Sequence, residues 1–210
     1  MNLKEKTAEI LKRLKREYPE PKTALNFSEP FQLLVATVLS AQATDVLVNR
    51  VTEGLFKKYK TVKDYADAQL DKLQKDVSSV NFYKTKAKNI QAAARIVVEE
   101  FNSKVPGTME ELTRLPGVAR KTANIILSNA FGINEGIAVD THVKRLSNRL
   151  GLTKSEDPVK IEQDLTVLTP KEEWGNISHL LIFHGRQICR AKKPLHSECV
   201  LYDICPSGNI

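Results

Sequence analysis

This chain has no apolar run long enough to cross a bilayer. The best, LLVATVLSA at residues 33–41, is less than half of the roughly 20 residues that a spanning helix needs. It has no signal-peptide pattern either, because MNLKEKTAEILKRLKREYP is charged throughout. A cytosolic protein with no membrane partner is expected. Cysteine is scarce, at three residues. An odd count in a reducing compartment excludes a disulfide framework and points to metal ligation or free thiols. Alternating strand patterns, internal repeats and low-complexity linkers are also missing.

What is present reads as helix. Hydrophobic residues make up 41% and charged residues 27%, ordinary for a globular protein. Leu3, Ile10, Leu11, Leu14 and Tyr18 form one helical face. Ser28-Glu29-Pro30 resembles a helix start, with proline where its missing N–H costs nothing. Phe31 to Leu39 is apolar on nearly all sides, which predicts a central core helix. Thr44-Asp45 caps a helix carrying Val46, Val48, Val51 and Leu55. Another helix spans Lys86 to Phe101, and Thr108 to Glu111 has capping-box spacing. The expectation is an all-α chain of about ten helices. The net charge of +7 and pI near 9.2 suggest a polyanionic partner, most often nucleic acid.

One segment interrupts the helical pattern. In Leu115-Pro116-Gly117-Val118-Ala119-Arg120-Lys121, proline cannot sit in a helix interior and glycine can take backbone angles that other residues resist. A helix resumes through Ile125, Ile126, Leu127 and Ala130, and Gly132 ends it. The two helices are thus joined by a tight hairpin. The N–H groups opening the second helix favour an anion such as phosphate. Alone, this is equally a corner in a helical bundle. Near the end, Cys189, His196, Cys199 and Cys205 follow one another with gaps of six, two and five residues.

Four motifs in order make the chain resemble the endonuclease III family of DNA glycosylases. LPGVARKTAN resembles that family's helix–hairpin–helix, and Ile137-Ala-Val-Asp-Thr-His142 its catalytic aspartate segment. Leu39-Ser-Ala-Gln-Ala-Thr-Asp45 resembles the turn after its first active-site helix, and the cysteine group falls where the family keeps a [4Fe–4S] cluster. The resemblance implies a bifunctional glycosylase and abasic-site lyase of base-excision repair. Such an enzyme acts as a monomer at the bacterial nucleoid, on double-stranded DNA with an oxidised pyrimidine or an abasic site.

Residue by residue, the resemblance makes Lys121 the nucleophile that attacks the sugar C1′ and Asp140 the carboxylate that stabilises the opening sugar. A helix N-terminus and partial burial would both lower the pKa of Lys121. Without the resemblance, Lys121 reads as a phosphate contact and Asp140 as the N-cap of THVKRLSNRL. Leu115, Pro116, Gly117, Val118, Ala119 and Arg120 form the DNA-gripping hairpin. Ala119 stands where a second glycine is usual, at a cost of about 1 kcal/mol if the backbone there is left-handed. Flipping the base out leaves a hole, which Gln42 would fill together with Phe82, the latter at a usual leucine position beside Asn81 at a usual glycine. Ser40, Asp45 and His142 align with residues near the flipped-base pocket, and Arg190, Lys192 and Lys193 with a backbone-binding loop.

The family's four cluster ligands are all cysteine, and here His196 replaces the second. A [4Fe–4S] cluster with three thiolates and one imidazole is one reading, and zinc on the same ligands is another. A ligand-free remnant is disfavoured, because residues 191–210 offer little apolar surface to bury and metal would supply what packing does not.

The implied architecture is a two-domain helix–hairpin–helix glycosylase fold with a C-terminal metal loop at 189–205. A six-helix domain would span 22–134, and 1–21 would join 135–210 in a discontinuous helical domain, with DNA in the cleft between them. A monofunctional glycosylase and a non-catalytic helix–hairpin–helix DNA-binding module are the alternatives.

Overall fold

The computed structural model describes residues 2–208, which form helices and turns with no strand among them. Eleven α-helices occur among these residues, one more than the pattern suggests. None is long and apolar enough to cross a membrane. The chain divides into two compact units, Thr23–Ile133 and Met1–Lys22 with Asn134–Ile210.

The first unit holds α2 (Pro30–Ser40), α3 (Asp45–Lys58), α4 (Val62–Ala66), α5 (Leu70–Asp76), α6 (Tyr83–Glu100), α7 (Met109–Thr113) and α8 (Arg120–Ala130). That is seven helices where six are expected; α7 is the short helix that the Thr108–Glu111 spacing predicts, while α4 is a single turn, too short to show an apolar period. Pro30 opens α2, where its missing N–H is no loss. Leu33, Leu34, Val35, Ala36 and Leu39 on α2 are fully buried, and α2 packs on α3, α6 and α8. Each such leucine contributes about 1.5–3 kcal/mol by leaving water. Thr44 caps α3 by accepting from the Leu47 N–H. The Thr108–Glu111 box closes only halfway: Thr108 Oγ1 accepts from the Glu111 N–H and donates to the Glu111 carboxylate, and no bond returns to the Thr108 N–H.

The second unit is built from α1 (Leu3–Glu17), α9 (Thr141–Arg149), α10 (Pro158–Leu168) and α11 (Trp174–Gln187). Asn2 and Glu5 form a reciprocal capping box that starts α1. Ile10, Leu11, Leu14 and Tyr18 are buried on its inner face, while Leu3, expected on that face, is half exposed. α11 packs against α1 and α9. Beyond α11 the chain makes two short 3-10 turns, His196–Glu198 and Tyr202–Ile204. Among the described residues after 190, Leu201 is the one hydrophobic side chain in the buried core.

Candidate active site and cysteine loop

The hairpin between α7 and α8 is pinned from within. Leu115 and Val118 are buried, and the Val118 N–H donates to the Leu115 carbonyl at 3.0 Å. Gly117 has φ +82, and a Cβ there would lie 3.1 Å from Asn89 Cβ. Both facts demand glycine. Ala119 has φ −85 and ψ 169, an extended backbone that any residue adopts, so the conditional cost of alanine there does not arise. As N-cap it has no side chain that could close the first turn of α8. Arg120 and Lys121 lie on that turn, and both are exposed. Partial burial of Lys121 is therefore not part of its environment.

Asp140 sits at the N-terminus of α9, held by the buried run Ile137-Ala138-Val139. Ser178 Oγ on α11 fixes this run by donating to the Ala138 carbonyl at 2.7 Å. Asp140 Oδ1 accepts from the backbone N–H groups of His142 and Val143, both at 2.8 Å. The carboxylate is thus a rigid N-cap, fixed through Oδ1. Burial pushes the His142 imidazole down; Asp140 opposes this, while Arg145 and Arg186 reinforce it. Burial also lowers His179, again against Asp140.

Gln42 and Phe82 lie on two different loops of the Thr23–Ile133 unit, and the structure brings these loops together. Asn81 Nδ2 donates to the Gln42 carbonyl at 3.1 Å. Gln42 and Phe82 both have φ 56, left-handed values that side chains rarely adopt. Phe82 is 65% exposed, so it is no core phenylalanine. Ser40 Oγ donates to the Thr37 carbonyl, and Asp45 stands in the first turn of α3.

Cys189, His196, Cys199 and Cys205 line one cavity of about 210 Å³, with Arg149, Leu195 and Tyr202 in the same wall. Burial pushes the Cys199 thiol up, and the nearby Cys189 and Cys205 add to this. Among the described residues no three His, Cys, Asp or Glu side chains converge on a point for a single ion. Arg190, Lys192 and Lys193 between the first two ligands are exposed.

Several supporting residues gave no signal in the sequence. Arg149 Nη1 donates to Cys189 Sγ at 3.3 Å and to the Arg190 carbonyl at 2.8 Å. Arg145 Nη2 donates to the Gly185 and Cys189 carbonyls at 2.8 and 3.0 Å. His184, 2% exposed, lies against Cys199. Lys86, 6% exposed, reaches the end of α2. Each acts across a sequence distance that local pattern cannot span.

Residues 35–171 match the HhH-GPD superfamily of base excision DNA repair proteins, and residues 189–205 match the iron–sulfur binding domain of endonuclease III. The chain is 52% identical to endonuclease III of Synechocystis sp., over 98% of this chain and 94% of that protein. It is 47% identical to endonuclease III of Bacillus subtilis, over 91% of this chain and 87% of that one. The chain belongs to the endonuclease III family. An endonuclease III solved as a trapped covalent intermediate with DNA, an estranged-adenine complex, superposes with a TM-score of 0.93. It is 42% identical and covers 99% of this chain and 98% of its own. As an endonuclease III family member the chain is an enzyme of base-excision repair, a DNA N-glycosylase and abasic-site lyase.

The endonuclease III iron–sulfur segment fits the cavity found here. Three thiols and an imidazole line it, all chemically able to hold iron.

Proposed function

We propose that this enzyme removes oxidised pyrimidines from duplex DNA through a lysine imine and then cuts the strand at the abasic site. Lys121 Nζ, once neutral, attacks C1′ of the damaged nucleotide, and the base leaves with a proton. Loss of the sugar ring oxygen from C1′ gives the imine. Removal of a C2′ proton then expels the 3′ phosphate by β-elimination. Asp140, rigid as an N-cap, stabilises the positive charge that develops on the sugar and assists proton transfer. The hairpin from Leu115 to Arg120 holds a phosphate on the N–H groups of α8, which Ala119 leaves without a side-chain cap.

Gln42 and Phe82 fill the space that the flipped base leaves, with Phe82 stacking between bases. Ser40, Asp45 and His142 are assigned to recognition of the flipped base. Arg190, Lys192 and Lys193 grip the backbone. Cys189, His196, Cys199 and Cys205 would hold a [4Fe–4S] cluster with Cys3His ligation, a reading supported by their lining one cavity and by the match of residues 189–205 to the endonuclease III iron–sulfur binding domain. Such a cluster supplies one-electron redox chemistry and a covalent brace for the basic loop.

The observation that carries the reading is the exposed Lys121 on the first turn of α8, next to the Gly117 hairpin, in a chain 42% identical to an endonuclease III caught as a covalent DNA intermediate. Borohydride trapping on an abasic-site duplex tests it. Lys121→Gln is expected to bind that duplex and form no trapped adduct. An adduct formed at the unsubstituted rate would refute the assignment of Lys121. Base release without strand cleavage by the unsubstituted protein would point to a monofunctional glycosylase.

A further inference from the structure

The end of a helix leaves its last carbonyls without partners. At the end of α2 the carbonyls of Thr37, Leu39 and Ser40, and those of Ala41 and Gln42 just beyond it, each meet a donor. Ser40 Oγ donates to the Thr37 carbonyl at 2.8 Å, and the Ala43 N–H donates to the Ser40 carbonyl at 3.1 Å. Lys86 Nζ donates to the Leu39 and Ala41 carbonyls at 2.8 and 2.6 Å. Asn81 Nδ2 completes the set at the Gln42 carbonyl. Two of these donors come from one segment, the loop and first turn that open α6.

That segment also carries Phe82, whose carbonyl accepts from the Lys86 N–H at 3.0 Å. The same lysine is therefore bonded through its backbone to Phe82 and through its ammonium to the two sides of the turn before Gln42. Gln42 and Phe82 are both in left-handed backbone, a state that persists where the surroundings over-determine it. A buried ammonium is costly, and burial pushes the Lys86 pKa down with no carboxylate to oppose it. The negative end of α2 and two carbonyl acceptors offset that cost. A side chain needed only for packing would carry no charge here.

We infer that Lys86 is a positioning residue: it ties the first turn of α6 to the end of α2, so that Gln42 and Phe82 are held at fixed spacing before DNA arrives. Preorganised side chains lose less entropy when they enter the helix. The inference rests on reading Gln42 and Phe82 as the pair that fills the vacated space.

The test uses the full chain with its cluster and a duplex carrying 2-aminopurine beside a stable abasic-site analogue. Fluorescence rises when the neighbouring base is unstacked. Gln42→Ala is the control and is expected to lose the signal; an unchanged signal there overturns the filling role itself. Lys86→Met is expected to slow the fluorescence rise by about fivefold, and Lys86→Arg to restore part of it. Imine formation by Lys86→Met on a single-stranded abasic site, which needs no flipping, is expected at the unsubstituted rate. Asn81→Ala removes an exposed donor that no core depends on, and is expected to slow the rise by about twofold. With the control behaving as expected, a full-speed signal in Lys86→Met overturns the inference. So does equal loss of the signal and of single-strand imine formation. If Lys86→Met does not fold, Lys86→Gln, which keeps a polar end that can still donate to one of the two carbonyls, takes its place, and a full-speed signal there overturns the inference.

Discussion

His184 Nε2 lies 3.4 Å from Cys199 Sγ, and the opposite ring nitrogen meets the Tyr18 hydroxyl at 3.2 Å. The imidazole joins α1 to the cysteine loop through a buried path. His184→Ala would leave a cavity and strand the Tyr18 hydroxyl, at a cost of about 2–4 kcal/mol. A lower denaturant midpoint with less iron retained per chain is the expected result. Unchanged midpoint and iron content would show that the contact is idle.

His196 is the unusual donor in the proposed ligand set. If it binds the cluster, exchanging its imidazole for a thiolate adds one negative charge next to the iron, which lowers the reduction potential. His196→Cys is therefore expected to keep its iron and sulfide and to show a lower potential by voltammetry. An unchanged potential would mean that His196 does not bind iron.

The hairpin makes opposite demands at two neighbouring positions. Gly117→Ala meets both a left-handed φ and the Asn89 side chain, and should cost about 1–2 kcal/mol in thermal or denaturant unfolding. Ala119→Asp sits in relaxed extended backbone and adds a helix cap worth about 1 kcal/mol. The added carboxylate would also occupy and repel where phosphate is to bind. A chain that is more stable yet binds DNA less tightly is the expected outcome, and unweakened binding would count against the hairpin as a phosphate site.

Lys15 and Glu173 form an ion pair that fastens α1 to the turn before α11. Burial raises the Glu173 pKa, but hydrogen bonds from Lys15 and Asn176 outweigh it and hold the carboxyl below its usual value of 4.5. A carboxyl depressed in the folded state gives stability above its unfolded pKa and loses it as pH falls through the folded value. Lys15 is 41% exposed, so solvent screens the pair. Lys15→Met should thus cost up to about 1 kcal/mol at pH 7 and almost nothing near pH 2. Unfolding curves at the two pH values check this; an equal loss at both would assign the effect to packing.

Arg190, Lys192 and Lys193 are exposed on a loop braced by Arg149. Each phosphate contact contributes about 0.9 to the slope of log K against log salt. Lys192→Gln and Lys193→Gln should each lower that slope by about this amount in a binding titration. A slope that does not move would remove these residues from the interface.

Much of the site can be read locally. Pro116 and Gly117 break the helical pattern at the hairpin, and Asp140 before THVKRLSNRL marks an N-cap; both lie where expected. The inner face of α1 follows from its spacing, because an apolar period needs only one helix to be visible. Lys86 shows the limit. In the chain it is one of several lysines near the start of α6, and its burial comes from carbonyls 45 and 47 residues away.

The amino-acid order by itself determined the longer helices, the caps at Thr44 and Asp140, the hairpin and the donor types of the cysteine loop, because those depend on neighbours within a turn or two. Folding in three dimensions settled the rest. Ala119 proved relaxed and Phe82 left-handed, and Lys121 stands exposed. Cys189, His196, Cys199 and Cys205 line one cavity. Backbone angles in loops and the burial of long side chains are set by packing against distant segments, and no local pattern records that packing.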